Sequence, residues 1–152
     1  MNLVITKSKR EDINCLESRL REVDLLETAS FGVSPKDALI DGLDGMAFTA
    51  KDKKDKVVCM FGSADTDIKG TGVVWMLGSV LVEKYKKDVL KLTKQCVEKI
   101  CKPYSSVYNY IHESNAKSMR WLRWCGFDVD NARTYQFGGE NFFYFHKDLS
   151  DV

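Results

Sequence analysis

The spacing of apolar residues along the chain predicts alternating strands and helices. Residues 3–6 are β-prone, and apolar side chains then recur at near-helical spacing through residues 10–25. Ser34 and Pro35 break this pattern and are typical of the N-cap and first position of a short helix, which we expect to reach about Leu43. One strand followed by two helices is therefore predicted for this part of the chain.

The middle of the chain predicts a hairpin, a central strand and a long helix. Residues 45–50 and 57–62 read as hairpin arms around a polar turn of alternating Lys and Asp at 51–56. Residues 73–79 are apolar at successive positions, as in a strand buried on both faces. Residues 81–100 place apolar side chains at steps of three and four with lysines opposite, which predicts the longest helix.

The last third adds a strand, a helix and a second hairpin. Residues 106–111 alternate as a strand does, and Asn115 is a candidate N-cap for a helix that runs to Cys125 and ends at Gly126. A strand restarts at 127–129, and 133–145 read as a hairpin around a Gly-Gly turn. The predicted order is β-α-α-β-β-β-α-β-α-β-β, in a single α/β domain covering residues 1–152.

Charge and cysteine content narrow the possible functions. The net charge is +1, from 23 basic and 22 acidic residues, which gives no strong nucleic-acid signature, although a local basic patch stays open. No run is long enough for a signal peptide or a membrane span, so we expect a cytosolic protein. Five cysteines without a Cys-x-x-Cys pair predict reduced thiols and no metal site.

The sharpest motif lies at residues 115–127, Asn-Ala-Lys-Ser-Met-Arg-Trp-Leu-Arg-Trp-Cys-Gly-Phe. It has an Asn, a small residue three positions on, and Gly-Phe at eleven and twelve. This segment, together with the order of elements, resembles the GNAT N-acetyltransferase family. The resemblance implies an α/β (α+β) fold with a mixed, mostly antiparallel central sheet flanked by helices.

Two chemical parts of that family pattern are missing. In the family an Arg/Gln-x-x-Gly-x-Gly/Ala loop follows the central strand, and its backbone N–H groups hold the pyrophosphate of coenzyme A. Here residues 77–87 contain one glycine, Gly78, which falls too early, and we expect Val80, Leu81 and Val82 to fill that space. The tyrosine that many members use to protonate the leaving thiolate is replaced by Leu122.

Because of these losses we expect no bound cofactor. If the protein is an active enzyme, the expected cofactor is acetyl-CoA. In that second case the resemblance implies contacts from Leu77, Gly78, Ser79, Lys84 and Asn115. We expect the lysines of the 51–56 turn, and Lys84, Lys86 and Lys87, to be solvated side chains without a specific ligand. Phosphate binding is the alternative.

A closer similarity is to the small internal virion proteins of short-tailed bacteriophages, a degenerate branch of the same fold. It rests on residues 47–50, 58–62, 74–78, 83–87, 108–110 and 120–124. It implies a role in building the internal core of the phage head, with other virion or core proteins as partners. The implied location is the host cytoplasm during assembly, and the virion.

Candidate functional side chains fall into two groups. Trp121 and Trp124, with Arg120 and Arg123 beside them, are candidates for protein contacts or, alternatively, for simple core packing. Residues three apart on a helix differ in direction, and we expect Trp124 to be the more exposed ring.

The second group is catalytic. His112 and Glu113 follow the strand at 106–111, at a sheet end where GNAT active sites lie, and are candidate general bases. The leading hypothesis is a non-catalytic assembly protein. An acyl-CoA-dependent N-acetyltransferase and a small-ligand binding module are the alternatives.

Overall fold

A computed structural model describes residues 2–149 of the chain. Its elements in chain order are β1 (Leu3–Lys7), α1 (Arg10–Glu17), α2 (Glu22–Ser30), α3 (Pro35–Gly42), β2 (Met46–Asp52), β3 (Val57–Asp65), β4 (Thr71–Gly78), α4 (Leu81–Lys84), α5 (Lys86–Cys101), β5 (Ser106–His112), α6 (Ala116–Trp124), β6 (Asp128–Phe137) and β7 (Glu140–Asp148). The predicted α/β class, central strand and terminal hairpin are confirmed.

The strands of this part of the chain form one sheet in the order β1-β2-β3-β4-β5-β7-β6. Neighbouring strands are antiparallel, except that β4 and β5 run parallel. The β4–β5 pairing extends only from Thr71 opposite Ser106 to Val73 opposite Tyr108. Beyond it the two strands continue to Gly78 and His112 without pairing to each other, which leaves an opening in the sheet that we call the strand gap.

Helices cover both faces of the sheet. On one face α1 and α3 bury Ile13, Leu16 and Leu39 against the strands. On the other face α5 and α6 bury Ile100 and Leu122. Helix α2 contacts α3 and the end of β5, so it lies beside the strand gap.

The prediction of one continuous helix over residues 10–25 is wrong. The chain leaves the helix after Glu17, and Leu20 forms an isolated antiparallel bridge with Ser79. The backbone N–H of Arg21 donates to the carbonyl of Gly78 at 3.2 Å, and the N–H of Val80 donates to the carbonyl of Arg19 at 3.1 Å. Pairing with the end of β4 thus replaces the hydrogen bonds that a continuous helix would make.

The long helix predicted over residues 81–100 is also divided. Tyr85 adopts φ −105° and ψ 22°, outside helical geometry, and it separates the four residues of α4 from α5. Within residues 2–149, no helix has both the length and the apolar character needed to cross a membrane.

Candidate functional site

A cavity of about 460 Å³ occupies the strand gap. Its walls come from both faces of the sheet, with Trp75 and Ala38 on one side and Val89 and Thr93 on the other, and they are mostly apolar. This volume lies within the range of small-molecule sites. The strand gap is therefore the candidate functional site, and its polar groups decide what it can bind.

One edge of the gap is closed by Asp24 of α2. This carboxylate is 2% exposed and accepts the backbone N–H of Gly78, the last residue of β4, at 3.0 Å. It also accepts hydrogen bonds from Nε and Nη2 of Arg21 at 2.7 and 3.0 Å. This bidentate salt bridge fixes the orientation of both side chains. Asp24 therefore ties α2 to the end of β4.

The other edge is closed by Glu27, three residues further along α2. Its Oε1 accepts Nδ2 of Asn115 at 3.2 Å, and the backbone N–H of His112 is directed at the same carboxyl group. Burial raises the pKa of Glu27, and the negative charge of Asp24 adds to that shift, against the opposing effect of these hydrogen bonds. Glu27 therefore ties α2 to the end of β5.

Together Arg21, Asp24 and Glu27 form what we call the α2 bridge. Its two carboxyl groups lie one helical turn apart and face the ends of β4 and β5. The backbone N–H groups of Gly78 and His112 are thus directed at side chains of the same chain.

The backbone donors after β4 also point into the protein. The N–H of Gly78 donates to Oδ2 of Asp24, that of Ser79 to the carbonyl of Val58, and that of Val80 to the carbonyl of Arg19. The N–H groups of Leu81 and Val82 donate to the hydroxyl and the carbonyl of Ser79. All five distances lie between 2.8 and 3.1 Å. An anion-binding nest needs successive N–H groups that converge on the ligand. These five donors are already bound inside the chain.

The bulky side chains expected to fill the phosphate space lie in different surroundings. Val80 is 64% exposed, whereas Leu81 and Val82 are partly buried and pack against the core cluster that contains Val58. A Cβ at Gly78 would lie 2.8 Å from Cγ2 of Val82 and 3.0 Å from Nε of Arg21. The glycine therefore lets Val82 and Arg21 pack against the end of β4.

The other cofactor candidates lie in different surroundings. Leu77 is buried in the core beneath α1, and Ser79 uses its hydroxyl to bind the carbonyl of Val58 at 2.9 Å. Lys84 is exposed, with its ammonium 5.3 Å from the ring of Tyr85. These groups do not converge on one point of the cavity wall.

Asn115 is engaged through both ends of its amide. Its Oδ1 accepts the backbone N–H of Ser118 at 3.3 Å, as the predicted N-cap of α6, and its Nδ2 donates to Glu27. Leu122, at the position of the family's proton donor, is buried in the core.

The candidate bases lie outside the cavity wall. His112 is buried, with Nε2 2.9 Å from Oε1 of Glu140 and Nδ1 accepting the N–H of Ser114 at 3.1 Å. Glu113 is exposed and accepts Nδ2 of Asn141 at 3.5 Å. In the part of the chain that the structure describes, Glu27 is one of three acidic residues on the cavity wall, with Asp24 and Asp41.

The protein-contact candidates separate as predicted. Trp121 is partly buried, and its indole N–H donates to Oγ1 of Thr93 at 3.2 Å. Trp124 is 49% exposed with the ammonium of Lys94 4.4 Å from its ring centroid, which confirms that it is the more exposed ring. Arg120 and Arg123 are both exposed.

Sequence reasoning missed the whole α2 bridge. The signal was present, because Asp24 and Glu27 lie four and seven residues after Leu20, at positions that a helical period assigns to the buried face. Charged residues on a buried face need partners. The partners come from distant strand ends, which the local pattern does not reveal.

Comparison with solved structures identifies the fold. An acetyltransferase (GNAT family) from Bacillus anthracis superposes with a TM-score of 0.71 at 12% identity, covering 99% of this chain and 97% of that one. Ard1 from Thermoplasma volcanium gives 0.73 at 11% identity, covering 98% and 99%. The chain has the GNAT acetyltransferase fold. AAC(6')-Ib, solved with ribostamycin and coenzyme A, gives 0.69 at 13% identity, covering 97% and 94%.

Sequence comparison adds no closer relative to these GNAT-fold structures. No protein-family model and no curated protein matches the chain. At identities of 11 to 13% the solved structures establish the fold and leave the chemistry to be argued from the site.

Asp24→Ala should cost about 2–4 kcal/mol of unfolding free energy, because it leaves the partly buried Arg21 charge and the buried Gly78 N–H without a partner. Urea unfolding monitored by tryptophan fluorescence measures this. Glu22→Ala is the matched control, since it removes an exposed acid from the same first turn of α2 and should cost less than about 0.5 kcal/mol. Equal losses in the two variants would contradict the α2 bridge.

Glu27→Gln should change how stability depends on pH. Because the folded pKa of Glu27 is raised, the native state holds more protons than the unfolded chain above about pH 4.3, so unfolding free energy falls as the pH rises through this window. Gln keeps an acceptor for Asn115 and cannot ionise. The variant should therefore gain stability relative to the parent protein between about pH 4 and the folded pKa, measured by thermal melts across pH; parallel profiles would contradict the assignment.

Proposed function

We propose that this chain is a non-catalytic GNAT-fold protein that acts through protein contacts in the assembly of a phage virion or its internal core. The observation that carries the proposal is the α2 bridge. In this bridge Asp24 accepts the backbone N–H of Gly78. Gly78 ends β4, just before the position of the family's phosphate loop.

Several groups on which the family pattern relies for acyl transfer are bound internally or replaced here. Phosphate binding needs free N–H donors, and those of residues 78–82 are bound internally. Protonation of a leaving thiolate needs an acid, and Leu122 has no proton to give. Asn115 uses both ends of its amide within the protein.

Two features support an assembly role. Six segments are similar to the internal virion proteins of short-tailed phages, among them residues 120–124. Within that segment Trp124 is half exposed, next to Arg123 and one helical turn from Arg120. Trp is among the residues that most often dominate protein interfaces. We assign the protein contact to the exposed ring of Trp124.

Acyl-CoA-dependent acetyl transfer is the second candidate, and a specific observation favours it. The strand gap retains a cavity of about 460 Å³, lined by the half-buried carboxyl group of Glu27 with a raised pKa, a feature common among catalytic bases. Within residues 2–149 the buried indole N–H of Trp75, on the cavity wall, has no hydrogen-bond partner. This activity would require α2 to release the N–H of Gly78.

Isothermal titration with acetyl-CoA and with coenzyme A separates the two candidates. Because the phosphate donors are bound internally, we expect a Kd no tighter than about 1 mM, which corresponds to about −4 kcal/mol. AAC(6')-Ib, titrated in the same buffer, is the positive control. A micromolar Kd for this chain would replace the non-catalytic proposal by the enzymatic one.

Trp124→Ala should weaken binding to purified internal core proteins by at least about 1 kcal/mol, roughly fivefold, and leave the melting temperature nearly unchanged. Trp121→Ala is the contrasting variant, because it removes a packed ring and its hydrogen bond to Thr93, and it should lower the melting temperature. Unchanged affinity of Trp124→Ala would remove this end of α6 from the proposed interface.

A further inference from the structure

The charge of the chain is divided unevenly between two parts of the fold. Residues 81–124, which contain α4, α5, β5 and α6, carry ten Lys and Arg against four Asp and Glu, a net charge of +6. The rest of the chain carries thirteen against eighteen, a net charge of −5. The net charge of +1 for the whole chain is therefore the sum of a strongly basic part and an acidic part.

The basic residues lie on one surface because α5 and α6 pack side by side on the same face of the sheet. Trp121 binds Thr93, and the ammonium of Lys94 lies 4.4 Å from the ring of Trp124, so the two helices are in direct contact. We define the basic surface as the exposed cations along these helices, which are Lys87, Lys91, Lys94, Arg120 and Arg123.

Acidic residues lie near these cations without forming ion pairs with them. On α5, Asp88 precedes Lys91 by three residues and Glu98 follows Lys94 by four. The acid that forms ion pairs here is Glu83, at 3.9 Å from Lys86 and 3.4 Å from Lys117, towards the N-terminal ends of the two helices. Among the described residues, none of the five cations of the basic surface lies within ion-pair distance of an acid. Uncompensated like charges attract a polyanion and repel other cations.

We propose that the basic surface binds double-stranded DNA through its backbone phosphates, without reading the sequence. Lys87, Lys91 and Lys94 form one stripe along α5 at i, i+4 and i+7, about 10 Å long. Because one strand of a duplex presents a phosphate about every 3.4 Å along the axis, that stripe faces about three phosphates. Arg120 and Arg123 add about two more contacts from α6.

The composition of the surface favours DNA over an acidic protein. Protein interfaces are depleted in Lys, whereas Lys and Arg alike neutralise the backbone phosphates of a duplex. Single-stranded DNA is disfavoured because it binds by stacking its bases on open aromatic faces. The exposed ring here, Trp124, already has Lys94 against it.

Fluorescence anisotropy with a labelled 20-base-pair duplex of mixed sequence tests the proposal. Four to five phosphate contacts predict a slope of about −4 for log K against log salt, so binding should weaken about 250-fold between about 50 and 200 mM salt. A second duplex of unrelated sequence should bind equally well. No binding at about 50 mM salt, or a slope near zero, would overturn the proposal.

A charge-matched pair of variants localises the contact. The triple variant Lys87→Gln, Lys91→Gln, Lys94→Gln should bind at least tenfold more weakly and lose about 2.7 from the magnitude of the salt slope. The triple variant Lys53→Gln, Lys54→Gln, Lys56→Gln removes the same charge from exposed lysines of the β2–β3 turn and should change affinity less than about twofold. Equal losses would mean that net charge alone drives binding, against the proposal.

Two competitors test the identity of the occupant. Poly-L-glutamate that displaces the duplex at equal charge concentration would assign the surface to an acidic protein. A single-stranded oligonucleotide that binds more tightly than the duplex, and loses this advantage in Trp124→Ala, would assign it to base stacking. Thermal melts of both triple variants confirm that the binding differences arise in folded protein.

Discussion

The hydrogen bond from the backbone N–H of Gly78 to the buried carboxylate of Asp24 is the interaction on which the rest of the structure depends. It brings α2 against the end of β4, and Arg21 neutralises the charge that is buried in doing so. Burying the Asp24 carboxylate without such partners would cost several kcal/mol of unfolding free energy. Loss of any one of the three groups should therefore destabilise the contact between α2 and β4. Beside this contact, backbone pairing of residues 19–21 with the end of β4 separates α1 from α2, and glycine at residue 78 leaves room for Val82 and Arg21.

Under the proposed function, the same contact explains how an acetyltransferase fold can persist without its cofactor chemistry. Parallel strands that diverge leave backbone groups unpaired, and these must be bound by a ligand or by the protein itself. Here α2 supplies the partners through Asp24 and Glu27, and a largely apolar cavity remains between the strands. The basic surface on α5 and α6 involves other residues. Substitutions on α2 and on α5 can therefore test the roles of the strand gap and of the basic surface independently.

Much of the fold followed from local patterns in the sequence, and most of the site did not. The run at 73–79 indicated the central strand because it is apolar on both faces, and Ser34-Pro35 and Asn115 marked helix starts through capping chemistry. The bridge between Leu20 and Ser79 could not be predicted, because it joins residues 59 positions apart and overrides helical periodicity. The relative exposure of Trp121 and Trp124 was predictable because it depends on helix geometry alone, whereas placing the cations of α5 and α6 on one surface required the contact between these helices.

Hydrogen exchange of the Gly78 amide, followed by NMR in the presence and absence of coenzyme A, tests most directly whether the α2 bridge has replaced the cofactor. If Asp24 holds this donor in the native state, the amide should be strongly protected in the free protein and its exchange rate should not change at saturating coenzyme A. Rapid exchange in the free protein, with protection that appears only when coenzyme A is added, would contradict the bridge and return the strand gap to its enzymatic role.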